Sequence, residues 1–201
     1  MKRNFLEAVQ NRRSIYAIGK SVQVGEARIR EILETAVKHV PSPFNSQGGR
    51  LVLLLGKESS EYWNIVRNEL NKIVAAGDLD KTEAKMKGFD GGYGTVLFFE
   101  DQTVVEGLMK KFPSYADKFP LWSLQSNGML EYVIWTALQD EGLGSSLQHY
   151  NPLVDEAVRK RWNLPDGWKL LAQMPFGSVE AAAGVKEFSP IEERLRVIGK
   201  L

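Results

Sequence analysis

The sequence predicts a layered α/β (α+β) fold in which helices cover both faces of one central sheet. Buried strands are predicted at residues 50–55, 95–99 and 169–176, where aliphatic, β-branched and aromatic residues follow one another. Amphipathic segments of helical length separate these strands along the chain. Strands that alternate with helices form a sheet whose two faces both lie beneath helices. The order of the strands in the sheet does not follow from the sequence.

Apolar residues at helical spacing predict the helices, and prolines and glycines mark where they end. The second helix runs to Val40, because Pro41 and Pro43 prevent it from continuing, and residues 41–49 follow as a loop. The other helices are predicted at residues 5–9, 62–74, 79–87, 121–141 and 153–162, with one more inside residues 101–120.

One predicted helix, residues 121–141, is apolar around most of its circumference. Leu130, Val133, Ile134, Ala137 and Leu138 form one stripe, and Met129, Tyr132 and Trp135 lie outside it. Such a helix lies at the centre of a large core or is shared with a partner subunit, and in a chain of 201 residues the shared position is favoured. The charged tail, residues 186–201, also carries apolar residues that need a surface to cover.

The composition indicates one folded domain over residues 1–201. Hydrophobic residues make up 43% and charged residues 25%, and a chain of this length supports one core. Lys and Arg total 26 against 25 Asp and Glu, so no overall positive field favours nucleic acid or an anionic membrane. The absence of cysteine excludes thiolate chemistry, and two histidines, His39 and His149, argue against a metal site.

The sequence also predicts a cytoplasmic, soluble protein. The N-terminal residues mix charges into apolar positions and lack the continuous apolar stretch of a signal peptide. The longest aliphatic run, Leu51 to Leu55, is far shorter than the roughly 20 residues that a membrane-spanning helix needs.

Two short motifs are candidates for ligand binding. Arg12, Arg13 and Ser14 follow the first helix, and two guanidinium groups with a hydroxyl suit the oxygens of a phosphate. Basic residues are also favoured at a helix C-terminus by its dipole alone, so a structural role stays open. The run Phe44 to Gln47 offers amide donors and acceptors that suit a polar ring edge, although such residues also satisfy nearby backbone in ordinary turns.

A third candidate is the segment GLGSSLQHYNP, which begins at Gly142. Glycine lets the backbone approach a planar ligand closely, and polar and aromatic groups follow. A helix end followed by a turn explains the same residues without a ligand.

In this order and at these separations the motifs resemble the nitroreductase family. The resemblance rests on RRS at Arg12, FNSQ at Phe44, GLGSS at Gly142, PFG at Pro175 and K-x-x-x-P-x-E-E from Lys186. It spans nearly the whole chain. The variants RRSIYAIG, PSPFNSQ and SLQHYNP are similar to the branch typified by fatty acid repression mutant-like and copper-induced bacterial nitroreductases.

The resemblance implies a three-layer sandwich with a central mixed sheet, and a homodimer formed through the long central helix and exchanged terminal arms. It also implies FMN held between both chains. NADH or NADPH would reduce the flavin, and a small electron-poor acceptor such as a nitroaromatic or a quinone would then reoxidise it in the same cleft. The flavin carries the chemistry, so no catalytic side chain and no metal are expected.

The resemblance assigns binding roles residue by residue. The residues that would bind the phosphate are Arg12, Arg13, Ser14 and Lys186. The residues that would contact the ring or the ribityl chain are Asn45, Ser46 and Gln47. The turn whose backbone amide would donate to flavin N5 contains Ser146, Leu147, Gln148 and His149. Tyr16 stands where many members carry a basic residue, and Arg50 is the candidate replacement that would stabilise the reduced flavin. Phe188 stands where a second phosphate-binding arginine is common, and Arg13 would compensate.

Two other functions remain open at this point: a flavin-binding regulatory or sequestering protein with incidental turnover, and a noncatalytic α/β interaction module. Neither the physiological acceptor nor the preference for NADH or NADPH follows from the sequence. Phe44, Tyr93, Phe112, Tyr115, Phe119 and Trp122 are candidates for a pocket that accepts flat molecules, with core packing as the alternative for each.

Overall fold

In the computed structural model, which describes residues 4–199, the chain forms seven α-helices and five β-strands. The helices are α1 (Phe5–Asn11), α2 (Glu26–His39), α3 (Lys57–Leu70), α4 (Leu79–Asp90), α5 (Gln102–Lys111), α6 (Phe119–Asp140) and α7 (Asp155–Arg161). The strands are β1 (Ile18–Gly19), β2 (Gly49–Leu55), β3 (Gly94–Asp101), β4 (Gly144–Ser145) and β5 (Trp168–Val179). Residues 1–3 and the last two positions of the predicted tail lie outside the described residues.

The three predicted strands and all predicted helices are present, with shifted ends. The helix predicted at residues 62–74 begins at Lys57, directly after Gly56, and ends at Leu70. Gly56 has a φ of 52°, a left-handed conformation that glycine adopts easily, so the chain reverses there without a longer loop. The strands β1 and β4 were not predicted, because two residues are too few to show a periodic pattern.

The sheet has the strand order β1-β5-β3-β2, with β4 also paired to β5. The central strand β3 pairs with β2 from Gly49↔Glu100 to Leu55↔Gly94, and β5 lies on its other side. Every pairing among residues 4–199 is antiparallel, so the expectation of a mixed sheet is wrong for one chain. Within the described part of the chain no crossover returns a strand parallel to its neighbour, and β2 is an edge of the sheet.

Two hydrophobic clusters fill the spaces on either side of the sheet, which confirms the three-layer arrangement. Alternation along β3 sends Val96 and Phe98 to one face and Leu97 and Phe99 to the other. The first face packs against α2 and α6, and the second packs against α3, α4 and α7. Both faces of the sheet are therefore buried, as its nearly continuous apolar strands indicate.

The long helix α6 is buried on one side and open on another. Leu130 and Ile134 belong to the core, whereas Leu121, Leu124 and Val133 are exposed. After β5, residues 180–199 follow an irregular path that includes one short 3₁₀ turn, and their apolar side chains, such as Phe188, are exposed. No helix within residues 4–199 combines the length and apolar character needed to cross a membrane.

Candidate functional site

The segment that carries Arg12, Arg13 and Ser14 is held in place by Gln139 near the end of α6. Arg13 donates its backbone N–H to Gln139 Oε1 at 2.7 Å, and Gln139 Nε2 donates to the carbonyl of Asn11 at 2.7 Å. Arg12 has extended backbone angles at the end of α1, so the helix stops there and the chain turns along α6. A single amide side chain on the longest helix thus holds the backbone on both sides of Arg12.

Arg12 has a guanidinium group in which one donor, Nη1, is not used by any described residue. Its Cζ lies 4.3 Å from the centroid of the Trp135 ring, a cation–π contact that holds the plane of the group. Atom Nη1 is buried and has no hydrogen-bond partner within residues 4–199. A buried charged donor without an acceptor is costly, which makes this atom a natural contact for an anion.

Arg12 opens onto a cleft of about 520 Å³, called the cationic cleft from here on. Its walls are residues 12–17, which lead into β1, and residues 181–186, which follow β5. Arg13 Nη2 donates to the carbonyl of Gly184 at 2.6 Å and so ties the two walls together. The lining includes three cationic residues and the hydroxyl of Ser14, but no carboxylate of the described chain. The four residues predicted for the phosphate, Arg12, Arg13, Ser14 and Lys186, line this one cleft together with Tyr16.

The segment that contains Ser146, Leu147, Gln148 and His149 lies beside the same cleft. Ser145 accepts hydrogen bonds through its carbonyl from the Ile15 amide at 2.9 Å and from Trp135 Nε1 at 3.2 Å. Further along, Gln148 and Gln173 exchange both backbone hydrogen bonds, at 2.7 Å and 2.9 Å. In an antiparallel pair neighbouring residues point their amides the other way, so those of Leu147 and His149 face away from β5.

Gln173 is a positioning residue that sequence reasoning missed. Its side chain is fully buried; Oε1 accepts from the Tyr150 amide at 2.8 Å, and Nε2 donates to Asn151 Oδ1 at 3.2 Å. These bonds hold the chain where it leaves the Gln148 pairing. A signal was available, because Gln173 is the only uncharged polar residue in the otherwise apolar run from Leu170 to Phe176.

The loop of residues 42–49, called the 42–49 loop, has an unusual backbone. Phe44, Asn45 and Gln47 have φ values of 54°, 52° and 53°, in the left-handed region that residues other than glycine seldom occupy. Ser42 holds the turn, since its Oγ accepts from the Gln47 amide at 2.8 Å and its carbonyl accepts from the Asn45 amide at 3.0 Å. Such strain persists only where the surroundings fix it, which is common at functional sites.

Arg50 anchors this loop. Its Nη1 donates to the carbonyls of Gln47 at 2.6 Å and Gly49 at 3.0 Å, and its Nη2 pairs with Asp101 Oδ2 at 3.0 Å. Burial raises the pKa of Asp101, but hydrogen bonds from Thr103 and the charge of Arg50 outweigh that effect and hold it below its ordinary value. Arg50 therefore has a structural role that the sequence did not indicate, and its predicted electrostatic role at the flavin stays a prediction.

The 42–49 loop and the cationic cleft lie at opposite ends of α6. The Phe44 ring contacts Phe119 at the start of α6, with centroids 5.8 Å apart, whereas Arg12 contacts Trp135 near its end. A helix rises 1.5 Å per residue, so these two contacts are about 24 Å apart. Within one chain the structure brings together the phosphate-binding and Gln148 segments but keeps Asn45, Ser46, Gln47 and Arg50 apart from them.

Two features define the class of protein. One is an antiparallel sheet between two helical layers, and the other is the cationic cleft between the segment before β1 and the segment after β5. The nitroreductase family profile matches residues 9–178, and the chain belongs to the nitroreductase family. Membership supports an oxidoreductase role. The Saccharomyces cerevisiae proteins HBN1 and nitroreductase FRM2 are 34% and 33% identical to it, each over 92% of this chain and over 92% and 93% of their own lengths.

Solved structures agree with this assignment. Nitroreductase CinD from Lactococcus lactis, in complex with nicotinic acid, is 47% identical, with a TM-score of 0.91 over 98% of this chain and 100% of that one. These relatives confirm the branch that the motifs indicated. A nitroreductase from Desulfitobacterium hafniense DCB-2, solved with bound FMN, has a TM-score of 0.72 at 16% identity over 99% of this chain and 100% of that one, which shows the shared fold.

Proposed function

We propose that the protein is a single-domain, FMN-dependent oxidoreductase that passes electrons from NADH or NADPH to nitroaromatic, quinone or similar electron-poor acceptors. The observation that carries the proposal is Nη1 of Arg12, which is buried and has no acceptor among residues 4–199, beside a cleft that contains two further cations. Family membership and the FMN bound to the Desulfitobacterium hafniense protein support it. Bound FMN supplies the hydride chemistry, and the protein supplies binding, orientation and charge.

The residues of the cationic cleft fit the phosphate of FMN. Arg12 Nη1 lacks an acceptor, and phosphate oxygens accept well-directed hydrogen bonds from guanidinium groups. Ser14 adds a hydroxyl, while Arg13 and Lys186 add positive charge from the two walls. The outward amides of Leu147 and His149 lie along the next stretch of chain, where the ring edge would extend. His149 would act there through its main chain, since its imidazole is exposed.

The second half of the site would come from a partner subunit. The exposed face of α6 borders a largely apolar groove of about 610 Å³ between α2 and α6, lined by residues such as Ala36, Met129 and Val133. In a two-fold dimer the same patch meets itself. Antiparallel packing of two α6 helices would set the cationic cleft of one subunit beside the partner's 42–49 loop. The loop and the cleft, which are about 24 Å apart within one chain, would then lie close together across the dimer interface.

The exposed tail supports an exchange of arms. Strand β2 is an unpaired sheet edge, and its Leu51, Leu53 and Leu55 line a groove of about 440 Å³ with α2. An exposed edge with apolar side chains is normally covered by another strand or segment. The tail of a second subunit, with Phe188 and Ile191 exposed, offers the apolar residues to cover it. A parallel strand added in this way would also make the sheet mixed.

The acceptor site would lie against an aromatic cluster. Phe44 stacks on Phe112 with centroids 4.5 Å apart, and Tyr115, Phe119 and Trp122 continue the cluster. Phe44 and Tyr115 remain exposed, so these rings are available to a flat molecule. Nicotinic acid and chloramphenicol, the ligands of the CinD structures, are both aromatic and support an acceptor of this shape.

Spectroscopy of the purified protein tests the proposal. We expect a yellow protein whose flavin absorbance bleaches on anaerobic addition of NADH or NADPH and returns when a nitroaromatic or a quinone is added. Independence of the two half-reactions would show the ping-pong order. Flavin that binds but is not reduced by either nicotinamide would favour the sequestering function, and a colourless protein that fails to bind added FMN would overturn both.

A further inference from the structure

A small cavity, partly open to solvent, lies beneath the 42–49 loop. It has a volume of about 30 Å³, and a buried water needs roughly 10–15 Å³ on the same measure, so one or two waters fit. Polar groups of the loop, of β3 and of α6 face it, chiefly those of Ser42, Ser46, Gln47, Glu100, Ser123, Ser126 and Asn127. The cavity therefore connects the loop to the core through polar contacts.

Two buried side chains at this cavity are incompletely paired. Asn127 is 2% exposed and Glu100 is 3% exposed. Asn127 Nδ2 donates to the Phe99 carbonyl at 3.0 Å and to Glu100 Oε2 at 3.3 Å. Its Oδ1 is buried and has no hydrogen-bond partner in the described part of the chain. An amide oxygen in this position requires a donor, and a water in the adjoining cavity is one.

The loop rests directly on the Glu100 carboxyl. A Cβ added to Gly48 would lie 2.0 Å from Glu100 Oε1, and the nearest atom of any other residue would be Val104 Cγ1 at 3.6 Å. The Asp101 amide also donates to the Gly48 carbonyl at 3.0 Å, which holds the same residue against β3. A side chain at position 48 would force either the Glu100 carboxyl or the loop to move, so the two positions are coupled.

We propose that Glu100 is a positioning residue. Together with Asn127 and water held in the cavity, it fixes the position in which the 42–49 loop contacts the flavin. One water that donates to Asn127 Oδ1 can also hydrogen-bond to Glu100 Oε1 and to a serine hydroxyl of the lining. This role rests on the proposed function, because it assumes that the loop contacts FMN.

The charges around Glu100 make its effect dependent on pH. Burial raises the pKa of Glu100; the Asn127 hydrogen bond and the charge of Arg50 on β2 oppose the rise, and Asp101 on β3 adds to it. The docked loop therefore holds a proton on Glu100 above the pH at which an exposed glutamate loses it. As the pH rises through the raised pKa, that proton is lost, and the docked state loses stability relative to a displaced loop.

The first experiment measures the FMN dissociation constant across this pH range. We expect the wild-type affinity to fall as the pH rises and the affinity of Glu100→Gln to stay flat, because the amide keeps the shape but does not titrate. Glu106→Gln, an exposed change of the same kind on α5, should follow the wild-type profile. Identical profiles for wild type and Glu100→Gln would overturn the role of Glu100.

The second experiment uses the contact at Gly48. Gly48→Ala should weaken FMN binding by at least about tenfold, because the added methyl group would overlap the Glu100 carboxyl. In the Glu100→Ala background the obstructing carboxyl is absent, and the same change should cost less than about threefold. Equal costs in the two backgrounds would show that Glu100 does not set the loop.

The two proposals fail in different ways. Wild-type protein that binds no FMN refutes the proposed function. The wild type, Gly48→Ala, Glu100→Ala and the double variant can then be compared by urea unfolding of the apoprotein. Coupling between Gly48→Ala and Glu100→Ala in that measurement supports the positioning contact independently of flavin. Wild-type protein that binds FMN, with uncoupled variants, refutes the positioning role alone.

Discussion

Replacing Arg12 with Ala separates a binding role from a structural one. A charge-assisted hydrogen bond is worth about 1.5–3 kcal/mol, so loss of the bond from Nη1 to a phosphate should weaken FMN binding by about 10- to 150-fold. The apoprotein should change little. The contact with Trp135 contributes about 0.5–2 kcal/mol, whereas removal of a buried donor without an acceptor returns about 1–3 kcal/mol. These effects oppose each other, so the apoprotein should be destabilised by no more than about 1 kcal/mol and should be slightly stabilised at mid-range values.

The assay pairs FMN titration with urea unfolding of the apoprotein. Arg159→Ala serves as the matched control, because Arg159 is a partly exposed arginine on α7 whose contact with Asp166 is 3.5 Å long. The control should bind FMN normally and unfold like the wild type. An Arg12→Ala apoprotein that is strongly destabilised yet retains full FMN affinity would refute the reasoning and support Arg12 as a purely structural residue.

Three further changes test other parts of the structure. Gln173→Leu should destabilise the fold by about 1–3 kcal/mol, because the Tyr150 amide loses its buried acceptor, and thermal unfolding that matches the wild type would contradict this. Burial raises the pKa of Glu131 to about 7, so the unfolding free energy should fall as the pH rises through that value. Urea unfolding at about pH 6 and pH 8 should show this fall in the wild type but not in Glu131→Gln. A fall that persists in the variant would show that another group causes it. Val133→Asp places a charge on the exposed face of α6 and should yield monomers in size-exclusion chromatography, whereas an intact dimer would exclude that face as the interface.

Local patterns predicted most of the secondary structure because they reflect local geometry. The apolar run that became β3 and the spacing along α6 each repeat with the period of the element, so neighbouring residues are enough to reveal them. The short strands β1 and β4 exist only because β5 pairs with both of them, and nothing within two residues records a partner. The direction in which the strands pair could not be predicted for the same reason, because it depends on partner strands that are distant in the sequence.

The candidate site shows the same division. Arg12, Arg13, Ser14 and Lys186 were identified as a phosphate-binding set from residue type and resemblance, and the fold does place all four around one cleft. Gln173 was overlooked because a glutamine in an apolar strand shows its purpose only when Tyr150 and Asn151 are seen around it. The contact between Gly48 and Glu100 joins positions that are more than 50 residues apart, beyond the reach of any periodic pattern.

The amino-acid sequence alone determined which segments are helices and strands, which side chains carry useful charge, and which family the chain belongs to. The tertiary structure decided which of those charges lack partners, as at Arg12 Nη1, and which groups stand apart, as at the two ends of α6. The physical reason is that propensity and periodicity act between near neighbours, whereas burial and hydrogen-bond pairing depend on groups that only folding brings together.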